Sequence, residues 1–333
     1  MPITPSRLPT ELGVHFSVEC GRESGLTRGR MRAKDLARPF HGARRTVADI
    51  AAEKVAIRRD TEPLALTRAS TRLMRSKALS YLQIAAPGSF ICGASAAVLR
   101  GYPATASSDL DVAVFAPRRA PKGRGVKGRT IRSHLVDIDV VDGIPASSPA
   151  STWAMLGRDL SERKLIILGD AIVRVPRDDR GIRHPERAGA TIEQLQAAVD
   201  AGSRAGLRKL RAALERIRVG CSSPLETDYR LDAEDAGLPE PELDVEIFDA
   251  RGRRVGISEF VYRQYNVVVE IEIEGDHHRS SKQQWNRDLQ KYRDYANAGW
   301  EVVRLTAHDI RTTRRAARIV REVLVRRGWR PEL

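Results

Sequence analysis

The segment VVVEIEIEGDHH, residues 267–278, places glutamates at alternate positions. Successive side chains of a β-strand point to opposite faces, so Glu270, Glu272 and Glu274 are predicted to share one face. Carboxylates this close together repel one another, and the run itself contains no lysine or arginine. A divalent cation such as Mg²⁺, which prefers oxygen ligands, would neutralise them.

Two further glutamates lie on other predicted elements. Glu226 falls in a helix predicted over 222–237, and Glu259 falls on the strand that precedes the glutamate-rich one. If the helix packs on the sheet, acids from three elements converge on Mg²⁺ or Mn²⁺. Such a metal would polarise a phosphodiester and activate a water to attack it. The predicted metal ligands are Glu226, Glu259, Glu270 and Glu272.

Each of these acids also has a purely structural interpretation. Ser223 and Glu226 form an S-x-x-E capping box, in which the glutamate would only bind a backbone N–H at the helix start. The glutamates of the third strand would face water if one side of an antiparallel sheet is solvated. Both interpretations stand beside the metal site.

A second candidate site lies in the middle of the chain. The segment GASAAVLRGYPATASSDLDVAV, residues 93–114, resembles a nucleotidyltransferase signature, with Asp109 and Asp111 as the D-x-D pair and Asp137 or Asp139 as a third carboxylate. Two metals would then hold a nucleoside triphosphate. However, Ala94 separates the glycine from the serine, and the gap to the aspartates is long. This is the weaker alternative.

Composition points to a polyanionic partner. The 333 residues contain 57 Lys and Arg against 43 Asp and Glu, a formal charge of +14. Nucleic acid is favoured over acidic lipid, although a solvated basic surface would have the same composition. Cys20, Cys92 and Cys221 are too few and too scattered for a disulfide framework. With no apolar run near the roughly 20 residues of a membrane span, we expect a cytoplasmic protein that does not contact the membrane.

Three blocks are predicted along the chain, at 1–60, 61–190 and 191–333. In the first, residues 16–45 give a short helix, a turn at Gly25 and a basic segment, which is the order of a winged helix-turn-helix. A small helical cap without a DNA role fits these residues equally well.

The second block is predicted as a mixed α/β domain with strands near 108–115 and 134–143, joined by a basic loop, and with a linker at 176–189. The third block begins with one basic amphipathic helix over 191–217. It continues as helix, three strands, helix and strand, an αβββαβ order, followed by a basic terminal helix. The predicted class is therefore a multidomain α+β and α/β protein.

From about Ser222 to Trp329 the chain resembles the very-short-patch-repair endonuclease-like domain, a branch of the PD-(D/E)XK nuclease superfamily. The residues that carry the resemblance are SSPLETDYR, GLPEPELDVEIFDARGRRV, SEFVYRQYNVVVEIEIEGDHHR and QWNRDLQKYRDYANAGWEVVRLTAHDI. The resemblance implies a restriction-endonuclease-like core, a Mg²⁺ site and cleavage of DNA. By position it assigns the helix acid to Glu226, the second-strand acid to Glu259 and the acid before the GDHH turn to Glu272.

Two positions depart from that pattern. Glu259 stands where the family usually has aspartate, and Glu274 stands where the E-x-K pattern has lysine. The EIEIE run is also two residues longer than usual, so Glu270 competes with Glu272 for the same role. The missing lysine would be replaced by a basic side chain nearby. The candidates are His277, His278, Lys282 and Lys291, of which the two histidines are the predicted catalytic assistants.

The first two blocks, from about residue 14 to 185, resemble abortive-infection type IV antitoxin-like regions through FICGASAAVLRGYPA, GIPASSPASTWAML and LIILGDAIVR. This resemblance implies a winged helix-turn-helix, a DNA-binding or regulatory role and a possible toxin partner. We therefore expect a DNA-binding protein with a metal-dependent endonuclease domain. The alternative is a non-enzymatic DNA-binding antitoxin or regulator whose nuclease domain has lost its activity.

Overall fold

The computed structural model of the chain describes residues 6–62, 64–272 and 282–331. Within these ranges the strands form three sheets, with helices before, between and after them. The mixed helix and strand content predicted from the sequence is therefore confirmed. No helix in the described ranges combines the length and apolarity that crossing a bilayer requires.

The chain forms two compact units. The first comprises Met1–Leu165 and Glu193–Ala212, and the second comprises Ile166–Ile192 and Ala213–Leu333. The boundary predicted near residue 60 falls inside the first unit, which contains both the N-terminal strands and the middle sheet.

A small antiparallel sheet and two helices begin the first unit. Each helix starts where a hydroxyl, on Ser17 or Thr46, accepts a hydrogen bond from the third backbone N–H of the helix. The predicted short helix and the turn at Gly25 are present, and Gly25 has a φ of 81°. The sheet order is β1-β3-β2. The elements are β1 (His15–Ser17), α1 (Val18–Glu23), β2 (Leu36–Ala37), β3 (Ala43–Thr46) and α2 (Val47–Arg59).

The larger sheet of the first unit has the strand order β6-β5-β4-β8-β7. Both strands predicted in this region are present, but the basic loop between them also contains a strand, β6, which pairs in parallel with β5. The residues of β6 are half-exposed or exposed, so its sequence lacks the hydrophobic alternation by which a strand is predicted. The elements are α3 (Ala65–Leu82), β4 (Phe90–Ile91), α4 (Gly93–Leu99), β5 (Leu110–Phe115), β6 (Val126–Ile131), β7 (Ile138–Val141), β8 (Ile144–Ser147) and α5 (Pro149–Met155).

The helix predicted over 191–217 is two helices in the structure. After α6 (Glu162–Val173), the chain forms α7 (Ile192–Asp200) and α8 (Leu207–Arg216). Gly206, just before α8, has a φ of 85°, and a Cβ there would lie 2.2 Å from the Gly157 carbonyl oxygen. This close approach between backbones needs a glycine and ends the continuous helix.

The sheet of the second unit has the order β12-β11-β10-β9. The first three strands in sequence are antiparallel neighbours, whereas β12 runs parallel to β11, and α10 supplies the crossover between them. The elements are α9 (Pro224–Asp235), β9 (Glu242–Phe248), β10 (Arg254–Tyr262), β11 (Val267–Glu272), α10 (Lys282–Asn297), β12 (Glu301–Thr306), α11 (Ala307–Arg311) and α12 (Arg315–Arg326).

The two faces of this sheet pack against different helices. Phe260 and Val269 belong to a core that includes buried residues of α9 and α12. Val261 and Val268 belong to a second core with Tyr295 of α10. Because side chains alternate along a strand, Glu259 and Glu270 have the parity of Val261 and Val268 and face α10. The sheet therefore positions these two acids under one helix.

The segment 176–189, predicted to be a linker, is bonded to the sheet of the second unit. Arg177 Nε lies 2.9 Å from both carboxylate oxygens of Asp244 on β9, and Arg183 lies 3.1 Å from the same carboxylate. Arg254 on β10 donates to the carbonyl of Arg180 at 2.6 Å. The composition of the segment is typical of a linker, but its arginines bind an acid on β9, and these bonds hold the segment against the sheet.

Candidate active site

Glu226 lies at the start of α9, almost fully buried. The Ser223 hydroxyl caps the helix by accepting from the Glu226 N–H at 3.2 Å, and Glu226 Oε2 accepts from the Ser222 N–H at 2.6 Å. The capping interpretation is thus observed in part, since the carboxylate does bind a backbone N–H at the helix start. Burial is the main cause that raises the pKa of Glu226 to about 7.

A buried ion pair one turn further along fixes α9. Arg230 Nη2 lies 2.8 Å from Asp170 Oδ2, and the Thr227 hydroxyl donates to the same oxygen at 2.9 Å. Burial raises the pKa of Asp170, against the opposing effect of Arg230. These bonds hold the helix that presents Glu226.

Glu259 occupies the point where the ladder between β10 and β11 ends. The last paired residues are Phe260 and Val269, and beyond them Glu259 Oε2 accepts from the Ile271 N–H at 2.7 Å. Beyond the end of the ladder, the Glu259 side chain therefore accepts a hydrogen bond from the β11 backbone in place of a backbone carbonyl of β10. Burial, followed by the negative charges of Glu226 and Glu270, holds the pKa of Glu259 well above its ordinary value.

Glu270 meets a lysine from the crossover helix. Lys291 Nζ donates to Glu270 Oε2 at 2.8 Å and also lies 5.4 Å from the centre of the Tyr295 ring. Glu270 is 7% exposed, and its other oxygen, Oε1, is buried without a hydrogen-bond partner among the described residues. One oxygen thus pairs with lysine, and the other has no partner in this part of the chain.

Glu272 is paired differently. Its carboxylate bonds to Arg304 of the neighbouring strand β12, whose guanidinium lies 4.9 Å from the centre of the Tyr292 ring. The repulsion predicted for the EIEIE run is therefore relieved, at Glu270 and Glu272, by cations from α10 and β12. These cations come from outside the run, so they could not be found from the residues of the run alone.

Tyr295 of α10 lies near these acids, and the sequence analysis did not identify it. It is fully buried, its hydroxyl has no hydrogen-bond partner within residues 6–62, 64–272 and 282–331, and burial together with the charge of Glu270 raises its pKa. A Cβ at Gly256 of β10 would lie 2.4 Å from the Tyr295 hydroxyl oxygen, so the ring needs glycine there. Its position four residues after Lys291 puts both on one face of the helix, which is the signal that would have found it.

Replacing Tyr295 by phenylalanine should leave the stability of the metal-free protein unchanged or raise it by up to about 1 kcal/mol, because an unsatisfied buried hydroxyl is itself costly. Urea unfolding would measure this. Tyr229→Phe is the matched control, since the Tyr229 hydroxyl bonds the Tyr262 hydroxyl at 2.9 Å, and its loss should cost about 1 kcal/mol. Equal losses in the two variants would contradict the prediction.

The structure brings Glu259, Glu270 and Lys291 together, with Glu226 close enough to affect the charge of Glu259. Glu274, His277 and His278 lie outside the described residues, as does the Lys282 side chain.

A metal site is not preformed in the part of the chain that the structure describes. No group of three or more histidine, cysteine, aspartate or glutamate side chains there stands in metal-binding geometry. The donors nevertheless suit Mg²⁺ or Mn²⁺, because carboxylate oxygens are the ligands these ions prefer. The unpartnered Oε1 of Glu270 and the raised pKa values of Glu226 and Glu259 are what a bound cation would relieve.

The second candidate site is occupied by internal bonds. Asp111 is buried, its carboxylate accepts from the Ser95 N–H at 3.3 Å and from the Ser95 hydroxyl at 3.2 Å, and Arg129 lies 4.0 Å away. Asp139 pairs with Arg100. These contacts give both aspartates structural partners within the first unit.

Comparison with known proteins adds no family. The chain matches no protein-family model and has no significant match among the curated proteins or the solved structures.

Proposed function

We propose that the second unit is a metal-dependent nuclease that hydrolyses phosphodiester bonds of DNA, using Mg²⁺ or Mn²⁺. The observation that carries this proposal is the group formed by the half-buried Glu259 and the buried Glu270 beside Lys291, where the pairing of β10 with β11 ends. Acids from the helix and two strands, with one lysine, are the parts that PD-(D/E)XK chemistry uses. The observed order of helix, three strands, helix and strand is the order expected of that core.

Each residue has a role in this proposal. Glu226, Glu259 and Glu270 would hold the metal, which supplies Lewis-acid activation of a water and of the phosphodiester. Lys291 pairs with Glu270 and would present a cation where negative charge develops on the phosphate. The lysine that the family places on the third strand would here come from α10. Glu259 is longer than aspartate by one methylene, and the Ile271 N–H holds its carboxylate in a defined position.

The charge state of the site supports a role for a cation. With its pKa raised to about 7, Glu226 holds a proton in part of the metal-free molecules at neutral pH, and the raised pKa of Glu259 acts in the same direction. Divalent cations compete with protons for such carboxylates, so metal binding would release them.

Cleavage assays test the proposal. Purified protein should nick supercoiled plasmid and cut labelled duplex oligonucleotides with Mg²⁺ or Mn²⁺, and should do neither in EDTA. Glu259→Gln should lose the activity while Asp109→Ala with Asp111→Ala retains it. Cleavage that survives in EDTA, or that Glu259→Gln leaves intact, would refute the assignment. Transfer of a labelled nucleotide that depends on Asp109 and Asp111 would instead support the nucleotidyltransferase alternative.

A second candidate function is a non-enzymatic DNA-binding antitoxin or regulator, with a toxin as a possible partner. It is favoured by the ion pair between Glu272 and Arg304, which occupies the acid that the family resemblance assigns to metal. DNA binding without cleavage at any divalent metal concentration would select this function.

A further inference from the structure

The first unit contains a cleft of about 880 Å³ whose walls are strongly basic. Among the described residues, seven of its fifteen lining residues are arginine or lysine, His41 is an eighth basic group, and no aspartate or glutamate lines it. The cations come from α1, β3 and α3, from the segments between α1 and β3, and from the loop before β6. They are Arg22, Arg28, Arg32, Arg38, Arg44, Lys77 and Arg124.

Arg44 is the most informative of these. It lies on β3, is only 9% exposed, and donates to the carbonyls of Met31 and Ala43 at 2.8 Å each. In the described ranges no carboxylate pairs with it. Burial and the neighbouring charge of Arg38 lower its pKa. A buried guanidinium held by carbonyls alone keeps its net charge, and an anion in the cleft would balance it.

The exposed arginines of the cleft are also without acidic partners in the part of the chain that the structure describes. This applies to Arg22, Arg28, Arg32, Arg38 and Arg124, whereas Arg30, which does not line the cleft, pairs with Asp35 at 2.8 Å. Unpaired like charges around one cavity repel each other, so the arrangement costs free energy unless a polyanion enters it.

We propose that this cleft binds the phosphodiester backbone of DNA. The lining argues for phosphates over a mononucleotide, because small-molecule sites are mostly apolar with a few polar groups. Here the cations dominate, and the apolar side chains Met31 and Phe40 are already buried at 2% and 5% exposure. Within the described residues a base would find no carboxylate in the lining to accept its amino group. This inference rests on DNA as the partner in the proposed function, but not on its hydrolysis.

Binding of a fluorescent duplex oligonucleotide in EDTA tests the cleft while the nuclease site is inactive. Arg32→Gln with Arg38→Gln should weaken binding roughly tenfold near 100 mM salt. It should also reduce the slope of log affinity against log salt by about 2, since each phosphate contact contributes about 0.9. Arg58→Gln with Arg59→Gln is the control, because it removes the same charge from exposed positions of α2 outside the cleft.

Equal weakening in the two double variants would overturn the inference and leave only a general effect of charge. So would ATP binding that the cleft variant loses while its DNA affinity stays at the wild-type value, because the cleft would then belong to a nucleotide. Melting curves of both variants establish that they are folded. Cleavage activity plays no part in the readout, so failure of the nuclease proposal and failure of this one are distinguishable.

Discussion

Replacing Lys291 by methionine should slow metal-dependent DNA cleavage by about 10²- to 10³-fold, the usual effect of removing one charge-stabilising donor from an active site. Lys291 is the cation bonded to Glu270, and methionine keeps the length of the side chain without its charge. Single-turnover cleavage of a labelled duplex at saturating Mg²⁺ measures the chemical step and avoids effects of product release.

Arg293→Met is the control for that substitution. It removes one positive charge from an exposed position on the same helix, two residues away and therefore on another face. We expect wild-type rates from it. If both variants lose activity equally, α10 contributes through general attraction of DNA, and Lys291 has no specific role.

A further test moves the lysine from α10 to the third strand, where the E-x-K pattern places it. If Glu270 is the third-strand acid, the lysine of the E-x-K pattern falls on Glu272, which shares its face. Glu270→Gln should then be as damaging as Lys291→Met, whereas Glu272→Gln should be mild. Glu272→Lys combined with Lys291→Met should recover part of the lost rate. The opposite result, with Glu272→Gln inactive and Glu270→Gln active, would return the metal site to Glu272, as the family resemblance assigns it.

Local patterns predicted the secondary structure of the second unit well. The three strands β9, β10 and β11 lie where alternation and turn residues place them, and α9 begins at the expected Pro224. These signals depend on neighbours in sequence, such as the hydroxyl of Ser223 and the N–H of Glu226. Capping and alternation are local, which is why one sequence was enough.

The partners of the site residues were harder to predict, because they depend on tertiary contacts. Lys291 is one of four candidates for the missing cation, and it lies beside Glu270 because α10 crosses over the sheet. Arg304 reaches Glu272 because β12 runs parallel to β11, a register that no local pattern contains. The linker prediction for the segment around Arg177 failed for the same reason. The composition of the segment is typical of a linker, but the acid that Arg177 binds lies on β9.

The stability of the metal-free protein should fall as pH rises from about 4.5 to 7. The pKa of Glu226 is raised from 4.5 to about 7 in the folded protein, so the native state binds more protons than the unfolded state within this window. Proton linkage then gives a negative slope of unfolding free energy against pH, worth about 3 kcal/mol across the window. Glu259 acts in the same direction, since its pKa is also raised.

Urea unfolding in EDTA at a series of pH values would measure this contribution. Glu226→Gln removes the titrating group and should flatten the slope relative to the wild type. Glu242→Gln is the matched control: Glu242 pairs with Arg263 on the surface and its pKa is lowered, so its own contribution is lost only as pH falls below this window. That variant should keep the wild-type slope, and changes in the overall charge of the protein cancel in the comparison.

A divalent cation should reverse the loss at high pH. At pH 8 the Glu226 carboxyl, whose pKa is about 7, is largely deprotonated, and Mg²⁺ at one hundred times its dissociation constant would add about 2.7 kcal/mol of stability. At pH 5 protons hold the same oxygens, so the increase should be much smaller. Glu226→Gln and Glu259→Gln should each reduce the increase seen at pH 8. Two results would show that these acids do not form a metal site: a wild-type melting temperature that Mg²⁺ and Mn²⁺ leave unchanged at pH 8, or a wild-type pH slope equal to that of Glu226→Gln. The non-enzymatic DNA-binding function would then be preferred.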